Sequence, residues 1–183
     1  MSAGQLNIKT DAARAVDASS ARTNGSWNKL SFNAIRLQRM TDTVSVYASL
    51  NGQLASKNLD PSEKMELGGM NGVRAYPQGE APADQGYLLT LEARLLLLRF
   101  SENMPGQMHL IGFVDHGSVT INKQSWAPGN NQRTLSAAGV GLTWSEPGNF
   151  LVRMYYARKL GSESAFFAPD KSGWFWIQAV KYF

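Results

Sequence analysis

The chain of 183 residues has no cysteine, which excludes a disulfide framework and a thiolate metal site. Histidine is almost as scarce. His109 and His116 are the only two, and no second ligand type clusters with them at metal-binding spacing, so neither a metal nor a cofactor is expected. Charged residues make up 17%, sparse beside the roughly 25% of an ordinary soluble domain. The net charge of +4 is scattered, with no basic run and no repeated aromatic–basic module, which argues against nucleic-acid binding. No apolar run reaches the roughly eighteen residues that a membrane-spanning helix needs. Residues 1–5 hold no basic segment leading into an apolar stretch, so an export signal, if there is one, is expected upstream. A Ser-His-Asp site is also disfavoured. Asp115 and His116 are neighbours on a predicted strand and point to opposite faces, so the one cannot orient the other. No enzymatic activity is expected.

What the chain does have is a strong period of two. Val44, Val46, Ala48, Leu50 and Leu54 share one parity, against Ser45, Tyr47, Ser49, Asn51 and Gln53. The same alternation runs through 87–97, 138–144 and 150–156, and the end of the chain, 174–183, is strand-like and aromatic-rich. Eight strands are predicted, near 4–10, 28–40, 43–56, 86–100, 107–118, 133–145, 149–158 and 174–183. The second is irregular: Leu30, Phe32 and Ala34 lie in one parity, Ile35 and Leu37 in the other. A bulge, or a strand end beyond the lipid, would account for the slip.

Connections alternate in length. Short turns fall at Thr41-Asp42, Glu102–Gly106 and Glu146-Pro147-Gly148, and long polar loops at 11–27, 57–85, 119–132 and 159–173. That alternation, with strands of about ten residues or more, is the pattern of an outer-membrane β-barrel. A soluble β-sandwich also alternates apolar and polar residues, but its loops do not sort by length in this way. Eight strands alone would close into a barrel packed with side chains, leaving no room for a loop of some thirty residues. An open sheet would present unsatisfied edges to lipid. The chain is therefore expected to be the C-terminal half of a larger barrel, with the loop at about 57–85 inserted in its lumen.

That loop carries Leu67-Gly68-Gly69-Met70-Asn71-Gly72-Val73-Arg74-Ala75-Tyr76-Pro77. An arginine buried on such a glycine-shaped hairpin needs an acidic partner. Glu92, on the polar parity of its strand, and Asp115 are the candidates.

These residues, with Gly79-Glu80 and Asp84-Gln85-Gly86-Tyr87, resemble the haemolysin activation/secretion transporters of the ShlB/FhaC/HecB type. These are the outer-membrane B components of two-partner secretion, in the superfamily of the barrel-assembly protein BamA. The family's loop motif, Val-Arg-Gly followed by Phe or Tyr, is met by Gly72, Val73, Arg74, Ala75 and Tyr76, with Ala75 where the family has glycine. Its strand motif, Phe-x-Asp-x-Gly, is met by Phe113, Asp115 and Gly117. The resemblance implies a sixteen-stranded barrel of which the chain supplies about the last eight strands. It also implies that Arg74 meets Asp115 inside the lumen, to which the parity of Glu92 adds a second partner. Phe183 resembles the C-terminal aromatic signal read by the barrel-assembly machinery, although Lys181 stands where an aromatic is usual.

The expected function is outer-membrane export of a secreted partner polypeptide, haemolysin- or adhesin-like, by a protein embedded in outer-membrane lipid. An assembly or insertion factor of the same superfamily, and a truncated fragment without activity, are the alternatives. Phe166-Phe167 is expected in the headgroup layer. Gly139 and Gly141 are expected to leave lumen space for a plug or a passing chain.

Overall fold

The computed structural model describes residues 1–97 and 105–183. It contains eight strands: β1 (Ser2–Leu6), β2 (Gly25–Arg39), β3 (Val44–Ala55), β4 (Gln85–Leu96), β5 (Gln107–Thr120), β6 (Gln132–Glu146), β7 (Phe150–Lys159) and β8 (Gly173–Lys181). They form one sheet in chain order, every neighbour antiparallel, with β1 and β8 at its edges. Because the path is a meander, the long connections 7–24, 56–84, 121–131 and 160–172 all leave from one end. The short ones at 40–43 and 147–149 lie at the other. The predicted turn at 102–106 and strand end at 98–100 fall largely outside the described residues.

Apolar side chains line one face. Leu50 stands opposite Leu89, Leu110 opposite Leu142, and Met154 opposite Ile177. They are not covered: Val140 is 57% and Ile177 65% exposed. The other, inner face carries Ser49, Gln53, Glu92, Asp115 and Arg133, all buried. This inverts the soluble pattern. An apolar sheet face of that extent requires hydrocarbon or a second layer, and among the described residues no second sheet is present.

The buried apolar cluster lies on the inner face, where the connection 56–84 lands. Leu67, Val73, Ala75, Tyr76, Ala81 and Ala83 from that connection pack on Leu88, Ile111, Phe113, Leu135, Tyr155 and Ala157 from the strands. The core is thus loop against sheet.

Four expectations need correction. The second strand has no bulge, since the β2–β3 register runs without a break from Lys29↔Ala55 to Arg39↔Ser45. Its parity slip arises because Arg36 and Gln38 take outward positions, opposite Ala48 and Val46. β1 ends at Leu6, short of residue 10, because the Ile8 N–H leaves the ladder for Asn24 Oδ1 (2.9 Å). The loop read at 11–27 contains a helix, α1 (Asp11–Ser19), capped by the Thr10 hydroxyl and favoured by its alanines. β2 then begins at Gly25, three residues ahead of the reading.

Candidate functional site

The connection 56–84 is itself a hairpin. Met65 and Ala83 exchange N–H···O bonds of 2.9 and 2.8 Å, and beyond them the chain tightens into a turn around 67–73. Gly69 lies at φ +103°, a left-handed conformation that favours glycine. At Gly72 a Cβ would fall 2.1 Å from the Leu67 carbonyl oxygen, so only hydrogen fits. The Val73 N–H donates to that same oxygen at 2.6 Å. This turn delivers Arg74 to the inner face.

Arg74 is almost fully enclosed, at 3% exposure. Its Nε donates to Asp115 Oδ2 (2.9 Å) and its Nη2 to Asp115 Oδ1 (2.8 Å), a bidentate pair. The backbone N–H of Arg74 reaches Asp115 Oδ2 at 3.1 Å, and Nη1 donates to Glu92 Oε1 at 2.8 Å. The second oxygen of Glu92 accepts from Arg94 Nε (2.9 Å), and the Thr90 hydroxyl donates to Asp115 (3.2 Å). The buried Arg74 and the half-buried Arg94 thus face two buried carboxylates, and their charges balance. Such charge-assisted, fully partnered bonds are the ones a low-dielectric site tolerates.

The guanidinium also lies over aromatic rings, 3.4 Å from the Phe113 centroid and 4.8 Å from that of Tyr155. Trp176 Nε1 of β8 donates to the Arg74 carbonyl at 2.7 Å. Gly139 and Gly141 make this aromatic floor. A Cβ at Gly139 would meet Phe113 Cζ at 2.5 Å, and one at Gly141 would meet Tyr155 Cδ1 at 2.2 Å. Their space is filled by rings from neighbouring strands, which corrects the expectation that it stays open for a plug or a passing chain. Between the loop tip and the sheet remains a polar cavity of about 390 Å³, bordered by Asn33, Asn51, Asn71, Arg94 and Arg153.

Each residue of the strand motif meets the loop. Phe113 lies under the guanidinium, Asp115 takes it in a fork, and at Gly117 a Cβ would stand 2.6 Å from Leu67 Cδ2. Ala75 is buried and its φ is not among the positive ones, so alanine sits there without strain. Tyr76 is fully buried. Its hydroxyl donates to the Glu163 carbonyl (3.1 Å), and burial pushes its phenol up to about 12.

Other predicted positions lie elsewhere. Phe183 stands just beyond the end of β8, fully exposed and away from the clasp. His116 faces outward, with Nδ1 2.8 Å from the Ser136 hydroxyl. Phe166-Phe167 has exposed rings on an anchored backbone. Both N–H groups donate to Glu80 Oε2 (2.9 and 3.2 Å), and the Phe166 ring lies 4.0 Å from the inner-face Arg133 guanidinium.

Two further clusters escaped the sequence reading. The buried Glu80 carboxylate pairs with buried Arg133. Arg133 shares the inner parity of Leu135 and Ala137, so its orientation was readable from the period of two. The buried carboxylate of Asp84 accepts from the N–H groups of Leu59 (3.0 Å) and Lys123 (2.7 Å) and pairs with Lys64 (3.0 Å). It binds the foot of the hairpin to the connection 121–131.

The chain also has known relatives. The family model "Haemolysin secretion/activation protein ShlB/FhaC/HecB" covers residues 1–144. The chain belongs to this family. Its place is the bacterial outer membrane. The heme/hemopexin transporter protein HuxB of Haemophilus influenzae strain 86-028NP is 34% identical over 137 residues, covering 73% of this chain and 23% of HuxB. HuxB of strain Rd is 33% identical over 139 residues, with the same coverage. The chain thus spans 23% of the length of these relatives. Among solved structures, CdiB from Acinetobacter baumannii superposes with a TM-score of 0.57 at 21% identity, over 84% of this chain and 26% of CdiB. At that identity the likeness concerns the fold, and it accords with the ShlB/FhaC/HecB barrel.

Proposed function

We propose that the chain is the C-terminal part of the barrel of a two-partner secretion transporter, about eight of sixteen strands, and that 56–84 folds into the lumen as its plug. The observation that carries this reading is the Arg74 clasp. A hairpin from the end with the long connections is held at the middle of a polar sheet face by a bidentate pair to Asp115 and a second bond to Glu92. A loop fixed there obstructs whatever the polar faces enclose. The apolar outer face meets outer-membrane lipid, and Phe183 contributes to recognition by the barrel-assembly machinery.

The cargo is a secreted partner polypeptide passed through the lumen unfolded, with its folding outside drawing export forward. The family's description as haemolysin secretion/activation proteins supports a haemolysin-like cargo, to which the resemblance adds the adhesin-like class, and the relative HuxB is named as a heme/hemopexin transporter. Single-channel recording on the full-length protein tests the plug. A variant lacking 56–84 is expected to conduct more ions than the intact barrel. Equal conductance overturns the reading.

A further inference from the structure

The two buried arginines hold the hairpin in different ways. The partners of Arg74 all lie on strands: Glu92 on β4, Asp115 on β5 and Trp176 on β8. It fastens the tip of the hairpin to the sheet. Glu80, on the returning limb, is fastened both to the sheet and to a second connection. One of its carboxylate oxygens takes Arg133 Nη1 of β6, and the other takes the N–H groups of Phe166 and Phe167. Arg133 completes the bridge through Nη2, which donates to the Ser164 carbonyl at 2.6 Å. Among the described residues its Nε has no hydrogen-bond partner, and it lies 3.7 Å from the Glu163 carboxylate. Tyr76 reaches the Glu163 carbonyl, and the Ala165 side chain is buried in the loop–sheet core.

We propose that Glu80 and Arg133 are positioning residues that join the hairpin 56–84 and the connection 160–172 into one moving body. The plug is then a two-loop gate with two separable fastenings. Breaking the Arg74 clasp frees the tip but leaves the returning limb and residues 163–167 bound to β6. Withdrawing the hairpin alone requires the Glu80 carboxylate to give up all three donors. If 160–172 travels with it, the carboxylate loses only the bond to Arg133 of β6, and the Phe166 and Phe167 N–H groups stay in place. Each partner that a buried carboxylate loses is costly, so joint movement, which keeps two of the three, is the favoured course. The exposed rings of Phe166 and Phe167 ride on that body.

The proposal rests on the reading of 56–84 as a plug, but its test is independent of conductance and cargo. Hydrogen–deuterium exchange is measured on the full-length protein in lipid nanodiscs, for the wild type, Arg74→Ala, Glu80→Gln, Arg133→Lys and the Arg74→Ala/Glu80→Gln pair. Arg74→Ala is expected to speed exchange in peptides spanning 68–75 and leave 160–172 protected. Glu80→Gln is expected to speed exchange in 160–172 about tenfold, as local opening allows, with β5 unchanged. The double variant is expected to release both segments. Unaltered protection of 160–172 in Glu80→Gln overturns the proposal, as does its full loss in Arg74→Ala alone. If Glu80→Gln does not yield a folded barrel, Arg133→Lys decides. That variant keeps the charge, loses the pair of donors that bridges Glu80 to the Ser164 carbonyl, and is expected to deprotect 160–172. Unchanged exchange in it also overturns the joint body. A coupled pair of loops in a barrel whose conductance ignores loop deletion leaves the coupling standing and removes the plug.

Discussion

β2 and β5 are nearly equal in length, 15 and 14 residues, and both pair with their neighbours without a break in register. Their surroundings differ sharply. Along β5 the inner positions Ile111, Phe113, Asp115, Gly117 and Val119 are all buried, whereas β2 has no buried residue on either face. The backbone ladder is the same, so the ladder does not create the core. What separates the strands is the hairpin 56–84, which packs its apolar side chains on β4–β7 and reaches β2 through the polar pair of Lys29 with Glu63. A sheet that turns its apolar side outward obtains its interior from a loop.

Removing the fastening should make β5 resemble β2. Asp115→Ala leaves Arg74 buried with Glu92 as its remaining carboxylate, and breaking such a pair costs about 3–5 kcal/mol. Urea unfolding of the full-length protein in lipid should register that loss, with exchange at 111–119 rising toward the level of β2. An unchanged midpoint would mean that the aromatic floor alone holds the loop.

A charge on the outer face tests the other half of the contrast. Val140→Arg places a guanidinium in the apolar belt, where midplane arginine costs about 2–4 kcal/mol. Ile35→Arg, on the uncovered inner face of β2, should change stability little. Equal penalties in the same unfolding assay would contradict the assignment of faces.

The smallest effect sharpens the packing. Gly117→Ala drives a methyl into Leu67 Cδ2 at 2.6 Å and the Tyr87 carbonyl at 3.0 Å, an overpacking worth about 1–3 kcal/mol. Gly112→Ala, on the outward parity of the same strand, meets nothing within 4 Å and should be neutral by thermal melting. A neutral Gly117→Ala would show that the hairpin sits less tightly on β5 than the distances imply.

The period of two made most strands, and the face of every residue on them, readable in advance. It placed Glu92 on the inner side without help, because its strand alternates cleanly. The contact with Asp115 came from resemblance, since no periodicity says where a loop of nearly thirty residues will land. α1 was passed over because its alanines and single Thr10 cap form one short amphipathic stretch inside a polar connection, and short helices take their stability from context. Glu80 was visible in the loop passage and Arg133 in its strand parity. Their meeting depends on how far the hairpin limb descends, which is set by Gly69, Gly72 and the Met65–Ala83 bridge acting together. The slip in β2 left both a bulge and a strand end beyond the lipid open, because Arg36 and Gln38 interrupt the greasy parity, and the unbroken register excludes the bulge. An edge of the apolar belt and a bulge look alike in one dimension.

The bond from Trp176 to the Arg74 carbonyl spans 102 positions of chain. Arg74 and Asp115 are separated by 41. Contacts so remote in the chain form late, because much of the polypeptide must already be arranged before they are rewarded. The hairpin can therefore engage β5 while the sheet is still growing, but its tip is sealed only when β8 has been added. If 56–84 is the plug proposed above, its seal waits on the arrival of β8.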